Sequence, residues 1–252
     1  RDVFFRILRP TAMTNVQVWY EGSSLWLNNN KLPLSSQRIS EFLANLGQKD
    51  IPEEFMRRFA AQIKPNATLL YDITSLSSTS KLIECLEYGY NRDNDGLPQI
   101  NFSLVVDKEK GIPVRYDVYP GSIADITTLK NTIIRLKDAG SEQFRLVMDR
   151  GFFSQTTLAE LISENIPFIL PATYQLTSIK ELMSKSQNKV KQAEYLYKLE
   201  KGPIFAMPVK LEHQLDIDGK PRTLTVDGYC YYDPKREQDE RDSFYVQLFD
   251  AS

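Results

Sequence analysis

Hydrophobic and polar positions along the chain fall into three successive patterns. Over residues 1–66 the apolar positions are mostly at helical spacing. Val16-Gln17-Val18-Trp19-Tyr20 is the exception: it alternates, which predicts a short strand, a turn at Glu21-Gly22-Ser23 and a second apolar piece at Leu25-Trp26-Leu27. Ser35 and Ser36 then precede Ile39, Phe42, Leu43 and Leu46, a helix with serine as its N-cap. Pro52-Glu53-Glu54 opens another, with Phe55, Met56, Phe59, Ala60 and Ile63 as its apolar face.

From 67 to 172 the pattern becomes strand-like. Runs at 67–73, 100–106 and 112–119 are separated by turn signals at 91–96 and at Lys108-Glu109-Lys110-Gly111, and the second turn joins its two runs as an antiparallel hairpin. A helix is expected over 123–139 with Gly140 after its end, then a strand at 144–149, a helix at 154–165 capped by Ser154, and a strand at 168–170. The order β-β-β-α-β-α-β predicts an α/β domain built on a mixed sheet with helices on both faces. Beyond 172 the periodicity loosens. Helical material at 176–186 and a lysine-studded stretch lead to strand-like runs at 203–211 and 222–232, with Asp218-Gly219 as a hairpin turn between them. We read 1–66 as a lead-in segment, 67–172 as the core and 173–252 as a β-rich insertion.

Two of the core strands end in a carboxylate. Asp72 closes Ala67-Thr68-Leu69-Leu70-Tyr71, and Asp149 closes Phe144-Arg145-Leu146-Val147-Met148. Side by side, two such strands can hold both acids around divalent metal, an arrangement suited to phosphoryl transfer. Each acid also has a plainer reading. Asp72, followed by the hydroxyl-rich Thr74 to Ser80, is equally placed to cap a helix. Asp149 can pair with Arg150, while Gly151 permits a tight turn and Arg150 can instead meet a phosphate. Ser122 and Asp125, after the Pro120-Gly121 turn, read as helix caps.

Composition narrows the field. The 252 residues are 42% hydrophobic and 25% charged, an ordinary globular balance, and the net charge of −2 leans slightly against nucleic acid. Such a balance leaves room for a basic face. Cys85 and Cys230 match neither a disulfide framework nor a zinc motif, and the sole histidine, His213, argues against a histidine-based hydrolase. No run is long and apolar enough for a membrane span, so a cytoplasmic setting is expected.

Four motifs in order carry a resemblance: Tyr71-Asp72-Ile73-Thr74-Ser75, Gly96-Leu97-Pro98-Gln99-Ile100, Pro120-Gly121-Ser122-Ile123-Ala124-Asp125 and Met148-Asp149-Arg150-Gly151-Phe152. Together they resemble the catalytic core of DDE-type insertion-sequence transposases. The resemblance covers 67–172 and extends loosely over the flanks. It implies a ribonuclease H-like fold with a mixed five-stranded sheet flanked by helices, and it places Asp72 and Asp149 at two of the family's metal-binding acids. It further implies Mg²⁺ or Mn²⁺ as cofactor, DNA as partner (the element's terminal repeats and its target), cleavage followed by strand transfer, and a homodimer. The lead-in helices would then either read DNA or pack on the core. The family's third acid, a glutamate on a later helix, has no clean match. Glu237 and Glu240 are the nearest, in a run so charged that it reads as a solvated helix face. With no initiator Met at Arg1 and no third acid, the chain reads as a piece of a longer protein, cut before that glutamate and inactive by itself. A nuclease on the same fold, or a decayed element that only binds DNA, are the alternatives.

Overall fold

The computed structural model describes residues 12–28, 32–48, 51–90, 95–123, 125–174, 176–199, 202–217 and 220–250. The chain divides into two compact units, Arg1–Gln62 and Ile63–Ser252.

In the first unit, helices α1 (Val16–Glu21), α2 (Ser24–Asn28), α3 (Ser36–Gly47) and α4 (Ile51–Ala60) follow one another. The strand expected at 16–20 is therefore a helix, and burial shows why. Val16 and Tyr20, four apart, are each 1% exposed, whereas Val18, which a strand would turn to the same side, is 74% exposed. The 25–27 piece is helical too, and the Trp26 ring meets Tyr20 edge-on at 5.9 Å. Helix α3 starts as expected, with the Ser35 side chain accepting the Arg38 N–H. Val16 and Ile39 form a small core with Met13, Trp19 and Leu34, while Phe42 and Leu43 remain exposed.

The second unit is built on strands β1 (Ala67–Ser77), β2 (Gln99–Asp107), β3 (Ile112–Pro120), β4 (Phe144–Val147) and β5 (Phe168–Ile169). Their spatial order is β3-β2-β1-β4-β5, antiparallel from β3 to β1 and parallel from β1 to β5. This mixed sheet, three meandering strands continued by two βα crossovers, is the ribonuclease H-like arrangement. Helix α5 (Asp125–Asp138) sits between β3 and β4, and α6 (Gln155–Ser163) between β4 and β5. Gly140, at φ +89°, ends α5 in a left-handed turn where its N–H reaches Lys137 O and the Ser141 N–H reaches Leu136 O. Helix α6 begins where the Ser154 hydroxyl accepts the Thr157 N–H.

The core lies on one side of the sheet. Leu69, Tyr71 and Ile73 of β1 and Phe144 and Leu146 of β4 pack against Leu129, Ile133 and Leu136 of α5 and Leu161 of α6. The expectation of helices on both faces is not met among the described residues, since Leu70, Tyr116, Val118 and Ile169 on the other face are exposed. Along β2 the polarity is reversed: Gln99, Asn101, Ser103 and Asp107 are buried on the helix side, and Ile100, Phe102, Leu104 and Val106 are only half-buried on the open side. Hydrogen bonds offset part of the cost of the buried polar row, chiefly at Asn101, while the Ser103 hydroxyl and Gln99 Oε1 have no partner among the described residues. Asn101 donates to Gly121 O (3.3 Å) and Ile123 O (3.1 Å) and accepts from the Ser75 hydroxyl (3.1 Å). Gly121 is required there, because a Cβ would stand 2.4 Å from the carbonyl oxygens of both Gln99 and Glu87.

The β-rich region contains α7 (Thr177–Ser186) and an antiparallel sheet in the order β6-β7-β8, with β6 (Leu196–Leu199), β7 (Gly202–Ile217) and β8 (Lys220–Tyr232), followed by α8 (Pro234–Asp250). The pairing of Ile217 with Lys220 makes β7 and β8 a hairpin, and the expected Asp218-Gly219 turn falls outside the described residues. Met207 and Cys230 pack with Val190 and with Met183 of α7, and Leu224 reaches Leu158 of α6. Strand β6 has no counterpart in the sequence pattern.

Candidate active site

Asp72 stands in the middle of β1, hydrogen-bonded on one side by β2 and on the other, up to Leu70, by β4. Alternation along β1 sends Leu69, Tyr71 and Ile73 into the core and leaves Leu70, Asp72 and Thr74 on the open face. Along β4 and its continuation Phe144, Leu146 and Met148 are buried, so Asp149 shares the face of Arg145 and Val147. Leu70 pairs with Val147 in parallel register. That pairing ends there: Asp72 lies two residues further along β1, and Asp149 two residues past Val147, just beyond the end of β4. The two sequence-predicted acids thus stand on the open side of neighbouring parallel strands, Asp72 within its strand and Asp149 just after its own.

Both side chains are exposed. Each carboxylate has one oxygen fixed locally: Asp72 Oδ1 accepts the Ile73 N–H at 2.8 Å, and Asp149 Oδ1 accepts the Gly151 N–H at 2.9 Å. The second bond makes Asp149 the cap of a short 3₁₀ turn, Arg150–Phe152, whose Phe152 ring anchors against Tyr71 at 5.2 Å. An Asp149–Arg150 ion pair is not formed. Nor does Asp72 cap a helix, because β1 continues to Ser77. The hydroxyls after it mostly serve the chain. Ser75 holds Asn101, Ser78 accepts the Ser80 N–H, and Ser80 accepts the Leu82 N–H; Thr74 shares the open face with Asp72. Ser122 donates to the Glu87 carboxylate, tying the β3–α5 turn to the β1–β2 connection.

Two exposed carboxylates with a free oxygen each are a hard-oxygen donor set that fits Mg²⁺ or Mn²⁺, ions that retain waters and take phosphate oxygens as further ligands. No cluster of three acid, histidine or cysteine side chains occurs among the described residues. The third-acid candidates are engaged elsewhere, in keeping with the charged run around them. Glu240 pairs with Arg236 at 2.9 Å. Glu237 accepts the Tyr232 hydroxyl and lies 3.8 Å from Lys191 and 3.5 Å from Arg241, with the Lys191 ammonium 4.1 Å from the Tyr232 ring centre.

The Tyr232 hydrogen bond above all, then the Lys191 and Arg241 charges, holds the Glu237 carboxyl below its ordinary value. A depressed carboxyl pKa favours the folded anchor above the unfolded-state value and loses that contribution as pH falls through the folded one. Carboxyl-carbon NMR titration should therefore give Glu237 a midpoint below the usual glutamate range, and Tyr232→Phe should move it up towards that range. A midpoint that Tyr232→Phe leaves in place would show that the phenol is not the cause.

Comparison with known proteins settles the family. Residues 68–246 match the family model described as the transposase DDE domain, about seven-tenths of the chain. The chain belongs to that family. No curated protein matches it. Among solved structures, a piggyBac transposase synaptic complex with hairpin DNA aligns at 13% identity over 65% of this chain and 33% of that one, with a TM-score of 0.36. The Drosophila P element transposase strand transfer complex aligns at 12% over 76% and 46%, with a TM-score of 0.34. Ciona intestinalis endonuclease V, in complex with DNA containing inosine, aligns at 13% over 66% and 74%, with a TM-score of 0.30. The chain thus spans a third of the first of these and under half of the second. Likenesses at such scores carry no weight for function; the family assignment rests on the sequence match. The matched stretch of this transposase domain opens within β1, four residues before Asp72, and closes inside α8. No helix among the described residues is long and apolar enough to cross a membrane.

Proposed function

We propose that this transposase domain cuts DNA at the ends of its element and joins the freed 3′ ends to target DNA, with Asp72 and Asp149 as its metal-binding acids. The observation that supports the reading is that both aspartates are exposed on the open side of adjacent parallel strands, Asp72 within β1 and Asp149 just past the end of β4. Asp72 is offered from the centre of a strand that pairs with β2 from Leu69 to Ser77, so its backbone has little freedom. Asp149 is offered from a turn that its own Oδ1 closes. Each aspartate contributes a carboxylate oxygen that binds no other described group. Divalent metal held there supplies Lewis-acid stabilisation of the scissile phosphate and a more acidic water or 3′-hydroxyl. The open face beside the pair gives duplex DNA room to approach, which a cleft built for a small molecule would not.

In this scheme 1–66 is a lead-in, 67–172 is the catalytic core and 173–252 is its insertion. Product analysis tests the reading. Incubated with Mg²⁺ or Mn²⁺, linear duplexes ending in the element's terminal repeats and a supercoiled target plasmid, a protein that carries this domain together with the third acid should yield both cleaved ends and joined products. Cleavage without joining would replace the transposase reading with a nuclease on the same fold. Sequence-specific binding with neither product would make the domain a DNA-binding module.

A further inference from the structure

The aspartate pair has a cation beside it that pairs with neither acid. Arg150 follows Asp149 directly and opens the 3₁₀ turn, exposed to solvent. Its side chain has no hydrogen-bond, ion-pair or ring partner among the described residues. Several arginines of the same unit are committed to acids, Arg115 and Arg135 to Asp117, Arg236 to Glu240 and Arg241 to Glu237, while Arg145 meets only the Thr68 hydroxyl and Arg222 has no partner among the described residues. Successive side chains in extended backbone point to opposite sides, so Arg150 and Asp149 do not meet. Asp149 is extended, at φ −80° and ψ 177°, and its Oδ1 is taken by the Gly151 N–H. Glycine makes the fold-back comfortable, because a Cβ at 151 would stand 3.1 Å from that same oxygen.

We infer that Arg150 grips a DNA phosphate next to the aspartate pair, an inference that rests on the DNA chemistry proposed above. Two carboxylates on an open face repel a polyanion, and a strand laid across them needs a fixed positive group at the rim. A guanidinium suits that role better than an ammonium, since its planar fork meets two phosphate oxygens at once and never loses its charge. Its place one residue from Asp149, on a turn braced by Phe152 against Tyr71, holds the guanidinium's anchor point steady relative to the two acids. The contact is with the backbone and is independent of base sequence.

The test is binding, not turnover, so it survives any failure of the catalytic assignment. Fluorescence anisotropy with a labelled linear duplex of mixed sequence, in EDTA and across about 50–200 mM salt, gives the slope of log affinity against log salt. Arg150→Ala should lower that slope by about 1 and weaken binding about tenfold at the low-salt end. Arg150→Lys should keep the slope and recover only part of the affinity, because a point charge replaces the fork. Arg222→Ala on β8, equally exposed and without a partner among the described residues, controls for net charge. An unchanged slope in Arg150→Ala, or an equal loss in Arg222→Ala, overturns the inference. Absence of DNA binding by the unmodified protein overturns the inference and the DNA reading together. Binding that follows the expected pattern while no cleavage occurs supports Arg150 and counts against the catalytic reading alone.

Discussion

Asp72→Asn and Asp149→Asn should each abolish DNA cleavage and joining by a protein that carries this domain with its third acid, by at least about a thousandfold, while leaving the fold intact. The size follows from chemistry that depends on charge developing at a phosphate. Neutralising one of two metal-binding carboxylates removes most of the cation's hold, and electrostatic stabilisation of that kind commonly contributes more to the rate than any other single effect. The fold should tolerate both changes because both side chains are exposed and asparagine keeps the oxygen that accepts the Ile73 or Gly151 N–H. Without metal the variants should be no less stable than the parent, since each relieves repulsion between acids on adjacent strands. With saturating Mn²⁺ only the parent should gain stability, by about 2.7 kcal/mol at a concentration about 100 times Kd. Thermal melts with and without Mn²⁺, beside a strand-transfer assay, separate the outcomes. Full transfer activity in either variant would remove that aspartate from the site. A parent melt insensitive to Mn²⁺ would show that two carboxylates alone do not retain the ion, and the assay would then decide the matter with DNA present.

The aspartate pair was legible because both strands announce themselves. Each is an apolar run that ends in an acid, and period-two alternation fixes the face on which that acid emerges. Helices α3, α5 and α6 were legible through their serine caps and the glycine after α5. What failed to show was governed by contacts beyond the local pattern. Five residues from Val16 to Tyr20 fit either period, and the packing of Val16 and Tyr20 four apart decided for a helix. Strand β6 consists of Leu196 to Leu199, all exposed, and owes its form to pairing with Gly202–Phe205. In β2 the alternation was visible but its sense was not. Ile100, Phe102 and Leu104 are its apolar set, yet Asn101 and Ser103 are the buried ones. The partners that reverse it, the carbonyls of Gly121 and Ile123, lie 20 and 22 residues downstream of Asn101 and have no local signal. Arg150 was visible as a cation beside an acid, but only the structure shows that its side chain has no partner among the described residues.

The same polar side of the sheet yields the largest stability effect we expect. Arg115 is buried, and both its Nε and Nη2 donate to the Asp117 carboxylate at 2.9 Å, while Arg135 of α5 donates to Asp117 Oδ1 as well. One carboxylate thus balances two guanidiniums between β3 and α5, opposite Ser103 of β2. Asp117→Ala leaves a buried guanidinium without its bidentate acid and should destabilise the domain by about 3–5 kcal/mol, the usual range for breaking a buried pair from one side. Asp117→Asn keeps one acceptor oxygen and should lose less. The charge itself is not what the fold needs, so Asp117→Ala combined with Arg115→Met should regain most of the loss, an apolar pair being as good as a paired charge in that position. Urea unfolding of the single and double variants measures this through the midpoint, provided the slope stays constant. A single variant that loses under about 1 kcal/mol would mean that solvent reaches Arg115 and that the pair behaves as a surface bridge. A double variant no better than the single one would instead make the Arg115 side chain a packing element of the core, since its alkyl stem would be holding β3 against α5 whatever its charge.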